Sequence, residues 1–478
     1  MKILVLINED LENMVLGKNT TLSYILGAVD LGHDVYVHKI SADGKMFLAQ
    51  NSFAAFRINS ANASLIVEKY KEENQKIVNV LLGQQNQVSA EVVVADFCAL
   101  RGLVLEQKNI FLHEIDFVVQ RLEPMKAPFP PVGRISINNY LTQLKKLFPQ
   151  KFTFNFLAEA YQDKEFPLVL AKKYEDLATP TAISFYGDLE MPKKAQEMGK
   201  KYSEIFKTST QKIVLKPDDS AQALGVFAVE ISATGLNLEQ IKNKTIAQLS
   251  EVQLYEINAQ ELPSDIIEII NILCFVQFCK TKFGADQRLI ADIAPQEIAQ
   301  AINSLYGKKI LMQPFLEGVR LGDIRINLAK MSDGNFKVVG AVFRHSIAHD
   351  EKNFTTCLTI GASRAQAIEF DASVAEQKNL AQKINYILQQ LNGDEALKTK
   401  YRDVLEIGCD FLLVGNQRDV FFGEANHHCP ALMPLSESLE AAKKAPSFYE
   451  EINGLKVPYD GGLAVAKAII SQQIKLQN

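Results

Sequence analysis

Residues 2–7, Lys-Ile-Leu-Val-Leu-Ile, form a short Leu and β-branched run of the kind that stands as a buried parallel strand. Behind it, Leu22, Ile25, Leu26, Val29 and Leu31 recur at helical spacing, Gly32 ends the run, and His33-Asp-Val-Tyr-Val-His resumes as a second strand. Strand, helix and strand in this order make a βαβ unit, which commits the start of the chain to an α/β domain. Further strands are expected at Ser89–Ala95 and Asp116–Val119, the last closed by Arg121-Leu-Glu-Pro. Pro124, Pro128, Pro130 and Pro131 mark a linker, so the first domain is expected over residues 1–125.

With 478 residues the chain has room for two or three domains. Ile213-Val-Leu-Lys-Pro and Gly225-Val-Phe-Ala-Val-Glu read as two strands flanking a loop, the pattern of a flap. Residues 233–300 carry polar, mostly helical patterns such as Leu236–Ser250 and Pro263–Cys279, and they read as an insertion in a central domain spanning residues 126–308. From Lys309 the pattern becomes strand-rich, with an Asp333-Gly334 turn between alternating runs as a strong hairpin signal. A helix at about 372–390 precedes two more strands, starting at Gly408 and Asp419, and 461–476 reads as a surface helix. These complete a third domain over residues 309–478.

Composition excludes several classes. Hydrophobic residues make up 47% and charged residues 22%, as in ordinary globular proteins. Lys and Arg number 51 against 56 Asp and Glu, with no block of like charge, so neither nucleic acid nor a membrane surface is an expected partner. The six cysteines include no CxxC pair and sit mostly in apolar segments, which fits reduced thiols and a cytoplasmic protein. The opening apolar run is too short for a signal peptide, and no stretch reaches the ~20 apolar residues that span a bilayer.

The residues richest in chemistry lie near the end. Glu424 and Asn426 are two apart on one expected strand and share a face, and the hairpin can bring Asp410 alongside. Three hard oxygen donors suit Mg²⁺, which takes one or two carboxylates together with substrate phosphates, although a solvated strand face would show the same spacing. A basic set, Lys216, Arg325, Arg344 and Arg364, lies on several expected strands and could neutralise a polyphosphate or acyl-phosphate. The loop of residues 218–225 sits where a phosphate-covering loop would, yet no GxxxxGK[ST] occurs. His427-His-Cys reads as a turn before Pro430 rather than as a zinc site, because adjacent ligands on extended chain point apart.

Taken in order, Lys18-Asn-Thr-Thr, Arg121-Leu-Glu-Pro, Ile213-Val-Leu-Lys-Pro-Asp-Asp, Gly322-Asp-Ile-Arg and Glu424-Ala-Asn-His-His-Cys-Pro resemble the motifs of the bacterial glutathione synthetase family, within the ATP-grasp superfamily. The resemblance implies an α/β, α+β ATP-grasp fold, with a Rossmann-like N-terminal substrate domain followed by a two-part ATP-grasp module. It implies a carboxylate–amine ligase that joins γ-glutamylcysteine to glycine through an acyl-phosphate. ATP is then a co-substrate, Mg²⁺ or Mn²⁺ the cofactor, and a homo-oligomer the expected assembly.

The same resemblance implies roles for named residues. Lys216, Ser220, Gln222, Asp323 and Lys172 bind ATP, with Gln313, Pro314, Phe315 and Leu316 as the hinge beside adenine. Asp410, Glu424 and Asn426 hold the metal. Arg325 and Arg344 face the γ-phosphate and the acyl-phosphate. Lys18, Arg121, Gly361, Ala362 and Arg364 bind substrate. The chain departs from the family at Ser220-Ala-Gln-Ala, where glycines are expected, and at Thr355-Thr-Cys in the substrate loop. Two alternatives follow: a ligase of the same fold with another carboxylate and amine, or a nucleotide-binding regulatory protein without turnover.

Overall fold

The computed structural model describes residues 1–8, 21–40, 52–59, 106–122, 139–140, 142–143, 146, 164–185, 188–218, 225–282, 286–305, 309–320, 322–331, 333–345, 364–367, 375–415, 419–427, 470–471 and 474. The described residues build three five-stranded sheets.

The first sheet has the order β4-β3-β2-β1-β5, from β1 (Lys2–Ile7), β2 (Asp34–Lys39), β3 (Ser52–Ile58), β4 (Glu106–Phe111) and β5 (Phe117–Arg121). As the βαβ reading requires, β1 runs parallel to β2 and β5, with helix α1 (Thr21–Asp30) between β1 and β2. Ile3, Leu4, Val5 and Leu6 are fully buried, which is why β1 shows no polar alternation. Two strands not foreseen, β3 and β4, extend the sheet antiparallel beyond β2. The strand expected at Ser89–Ala95 and the proline linker lie outside the described residues.

Helix α2 (Phe166–Ala171) precedes the second sheet, whose order is β6-β10-β7-β8-β9. Its strands are β6 (Ala182–Ser184), β7 (Gln211–Pro217), β8 (Phe227–Ser232), β9 (Leu254–Asn258) and β10 (Ile310–Pro314). The flap strands β7 and β8 pair antiparallel as expected.

The reading of 233–300 as a peripheral insertion is corrected by β9, which joins the sheet parallel to β8. Helices α4 (Leu238–Lys242) and α5 (Ile246–Ser250) each begin with a capping box, Asn237 with Gln240 and Thr245 with Gln248. Helix α6 (Pro263–Lys282) buries Ile269, Ile270, Leu273, Cys274 and Val276 in one core with Ile213 and Leu215 of β7 and Met198 of α3 (Met191–Phe206). Helix α7 (Pro295–Leu305) adds Ile302 to it. A helix apolar on most sides must be covered on most sides, and 233–300 is therefore core. Strand β10 also belongs here, so the second sheet ends at Pro314 rather than before Lys309.

The third sheet is antiparallel throughout, in the order β13-β12-β11-β14-β15. It comprises β11 (Gly322–Lys330), β12 (Phe336–His345), β13 (Arg364–Ala367), β14 (Glu406–Leu413) and β15 (Val420–Asn426). The β11–β12 hairpin turns through Gly334 at φ +82°, a conformation open to glycine at little cost. Helices α8 (Ala375–Gly393) and α9 (Glu395–Lys400) pack on one face, where Ile384, Ile387 and Leu391 meet Ile407, Cys409 and Phe411. The tail helix expected at 461–476 falls almost wholly outside the described residues. Among the described residues no helix is long and apolar enough to cross a membrane, and Cys274, Cys279 and Cys409 are buried.

Candidate active site

Alternation along β14 sorts its residues onto two faces. Ile407, Cys409, Phe411 and Leu413 enter the core under α8, so Glu406, Gly408, Asp410 and Leu412 take the other face. The ladder sets Asp410 opposite Arg325 on β11 and opposite Glu424 on β15. A register shift after Asp410 makes that second pairing: Phe411 faces Phe422, and Gly423 is the extra residue between. A Cβ on Gly423 would come within 2.8 Å of the Leu412 side chain, so a larger residue at this bulge would require Leu412 to shift.

Here the structure brings together the residues expected to hold metal. Asn426 Nδ2 lies 3.0 Å from Asp410 Oδ2 and 3.3 Å from Glu424 Oε1. Arg325 grips Asp410 with two parallel bonds, Nε to Oδ1 at 2.6 Å and Nη2 to Oδ2 at 2.7 Å. Opposite them stands Lys216, on the face of β7 that Ile213 and Leu215 leave free. Burial pushes its ammonium below the ordinary lysine range, and the charges of Glu424 and Asp410 pull it part of the way back. Two carboxylates from the third sheet and a buried cation from the second thus face one another.

A hard cation fits this donor set. Among the described residues no group of three His, Cys, Asp or Glu side chains could hold a metal by itself. Two carboxylates and an amide form the partial set that Mg²⁺ completes with substrate phosphate and water. The amide of Asn426 can present its oxygen.

The hinge expected at 313–316 links the two sheets. Phe315 N donates to Lys212 O at 3.1 Å, continuing the β10–β7 ladder one step past Pro314. Phe315 and Leu316 are buried, and Gln313 Nε2 donates to Thr181 Oγ1 at 2.7 Å. Beyond them, Glu317 accepts from Tyr202 Oη at 2.7 Å and from Lys212 Nζ at 2.8 Å, tying the base of the flap to the start of the third sheet. Asp323 is buried on β11, opposite Arg344 in the β11–β12 ladder, while Arg364 stands opposite His345. Lys18, Ser220, Gln222, Gly361 and Ala362 lie outside the described residues.

Two expectations are corrected. Lys172, expected at ATP, is exposed at the C-cap of α2. A second buried lysine near the flap is Lys164, whose Nζ donates to the carbonyl of Pro217, next to Lys216. Periodicity gives no warning of it. The local signal is an Asp163-Lys164 pair leading into the Phe166-Pro167 helix start.

Arg121, expected at the substrate, pairs instead with Glu406, both side chains being almost fully buried. Tyr24 Oη donates to the same carboxylate at 2.6 Å, and the guanidinium lies 4.7 Å from the Tyr24 ring centroid. This cluster docks the first sheet onto β14.

Residues 264–448 match the family model described as YheC/D like ATP-grasp. Similar solved structures include the D-cycloserine synthetase DcsG, at 12% identity over 98% of this chain and 99% of that one, with a TM-score of 0.45. They also include the D-alanine-D-alanine ligase from Coxiella burnetii, at 11% identity over 100% and 97%, with a TM-score of 0.41. A biotin carboxylase from Campylobacter jejuni matches at 11% identity over 97% and 71%, with a TM-score of 0.43. No curated protein matches the chain in sequence. Over residues 264–448 the fold is the α/β ATP-grasp fold.

Proposed function

We propose that the protein is an ATP-dependent ligase that joins a carboxylate to an amine through an acyl-phosphate. The observation that carries this reading is the Asp410–Glu424–Asn426 set, gripped by Arg325 and faced by Lys216 across two sheets. In the reaction a carboxylate oxygen attacks the γ-phosphorus and ADP leaves. The amine nitrogen then attacks the acyl carbon, phosphate leaves, and the amine gives up a proton. No covalent bond to the protein is needed.

The residues bind, orient and neutralise. Lys216 meets the phosphates from the second sheet. Arg325 fixes the Asp410 carboxylate, and Arg344 on the neighbouring strand is assigned the acyl-phosphate. Asp410, Glu424 and Asn426 would hold Mg²⁺ or Mn²⁺, which would neutralise charge on the phosphates.

Within this class, glutathione synthesis is the reading the motifs resemble, and a different carboxylate and amine fit better. Arg121, which the glutathione reading assigns to the dipeptide, is engaged with Glu406 in a buried ion pair. The test is phosphate release from ATP and Mg²⁺ across a panel of amino acids, dipeptides and amines, with products identified by mass spectrometry. Release that requires γ-glutamylcysteine and glycine would restore the glutathione reading. Release with another pair names the substrates. ATP binding with no release across the panel would overturn the ligase in favour of a nucleotide-binding regulatory protein.

A further inference from the structure

Gln313 stands on β10 two residues beyond Leu311, which is opposite Lys216, so Gln313 shares the nucleotide-side face with that lysine. Its amide can point two ways, and the surroundings decide between them. Thr181 Oγ1 donates to the backbone carbonyl of Thr179 at 2.7 Å. A carbonyl only accepts, so this bond uses the one hydroxyl proton, and Oγ1 has only lone pairs left to offer Gln313. The Gln313 atom 2.7 Å from Oγ1 must therefore be the NH₂ nitrogen, because an amide oxygen there would set acceptor against acceptor. Thr181 is held in place by the sheet: the next residue, Ala182, is opposite Met312 in the β6–β10 ladder. Pro180 narrows the backbone freedom of Thr179, whose carbonyl ends the chain of bonds.

We propose that Thr181 is a specificity-determining positioning residue: it locks the Gln313 amide so that Oε1 faces the nucleotide as an acceptor, selecting adenine over guanine. Adenine carries an exocyclic amino donor where guanine carries a carbonyl acceptor. A freely turning glutamine could serve either, by presenting oxygen to one and nitrogen to the other. The Thr179–Thr181–Gln313 relay removes that choice. Thr181 touches no reacting atom and acts only through the Gln313 amide. The inference rests on the proposed nucleotide site but not on which carboxylate and amine are joined.

The test is calorimetric titration of the full chain with ATP and with GTP, each with Mg²⁺, for the parent protein, Thr181→Val and Thr181→Ser. The parent should prefer ATP. Thr181→Val, nearly isosteric but without the hydroxyl, should narrow the ATP-to-GTP affinity ratio by about tenfold or more, and Thr181→Ser should restore it. Thr181→Ala replaces the valine variant if thermal unfolding shows that the latter does not fold. An unchanged ratio in a folded variant lacking the hydroxyl overturns the role of Thr181 while leaving the nucleotide site standing. A parent protein that binds neither nucleotide overturns the site itself.

Discussion

One face of β14 carries two carboxylates, Glu406 and Asp410, each engaged by an arginine from another strand. At Glu406 the pair is sealed: Arg121 and Glu406 are almost fully buried and Tyr24 takes the second oxygen. At Asp410 the pair is shared: Arg325 is partly accessible, Asn426 reaches the same carboxylate, and Glu424 and Lys216 stand near. The chemistry of the pairs is alike. What separates a dock from a site is whether other groups can still address the carboxylate.

That contrast can be broken from either end. Glu406→Ala, which leaves Arg121 buried without its carboxylate, should cost about 3–5 kcal/mol of stability by denaturant unfolding. Glu406→Gln, which keeps an acceptor for Tyr24, should cost less. A small loss in both variants would mean that the sealed pair does not dock the sheets. At the other end, Asp410→Asn should lower turnover by about 10²–10³-fold, read by phosphate release once substrates are known, while the fold persists. Retained turnover would remove Asp410 from the metal site.

On β7, Lys216→Met should weaken ATP binding by about 10–100-fold, the worth of a charged hydrogen bond, as measured by calorimetry. Unaltered affinity would take Lys216 out of the phosphate site. The smallest effect concerns a cation held by backbone carbonyls. Lys330 donates from Nζ to the carbonyls of Tyr401 and Arg402 at 2.8 Å each, and burial lowers its pKa to about 8. Between that value and the ordinary 10.5 the unfolded chain binds more protons than the folded one, so this group makes stability rise with pH through that window. Below pH 8 its contribution is flat. Lys330→Met should lack the rise, measured as unfolding free energy against pH, and an identical slope in both proteins would contradict the assignment.

The sequence disclosed what is local. The βαβ opening, the β7–β8 and β11–β12 hairpins and the β14–β15 pair are each written in a short stretch of strand periodicity and turn chemistry. Strands β3 and β4 escaped because Ser52–Ile58 and Glu106–Phe111 mix polar and apolar residues without a clean period. Residues 233–300 looked detachable because β9 is only five residues long and its partner is known only from the fold.

The site divides the same way. Glu424 and Asn426 were readable from their spacing on one strand. The partners of Asp410 and Arg121 were not, since Arg325 lies 85 residues from Asp410 and Arg121 lies 285 residues from Glu406. Resemblance assigned Arg121 to substrate because the motif preserves the arginine and is silent about the buried acid that receives it.

The place of β10 has a consequence for how the chain is made. In sequence β10 follows β9, yet in the second sheet it lies between β6 and β7. During synthesis β6 and β7 therefore emerge with the gap between them unfilled, each exposing an unpaired edge until residues 310–314 leave the ribosome. Closure of the sheet and formation of the Gln313–Leu316 hinge are then a single late event. A nascent chain ending before residue 310 carries the flap hairpin and most of the α6 core, and lacks the strand that joins β6 to β7.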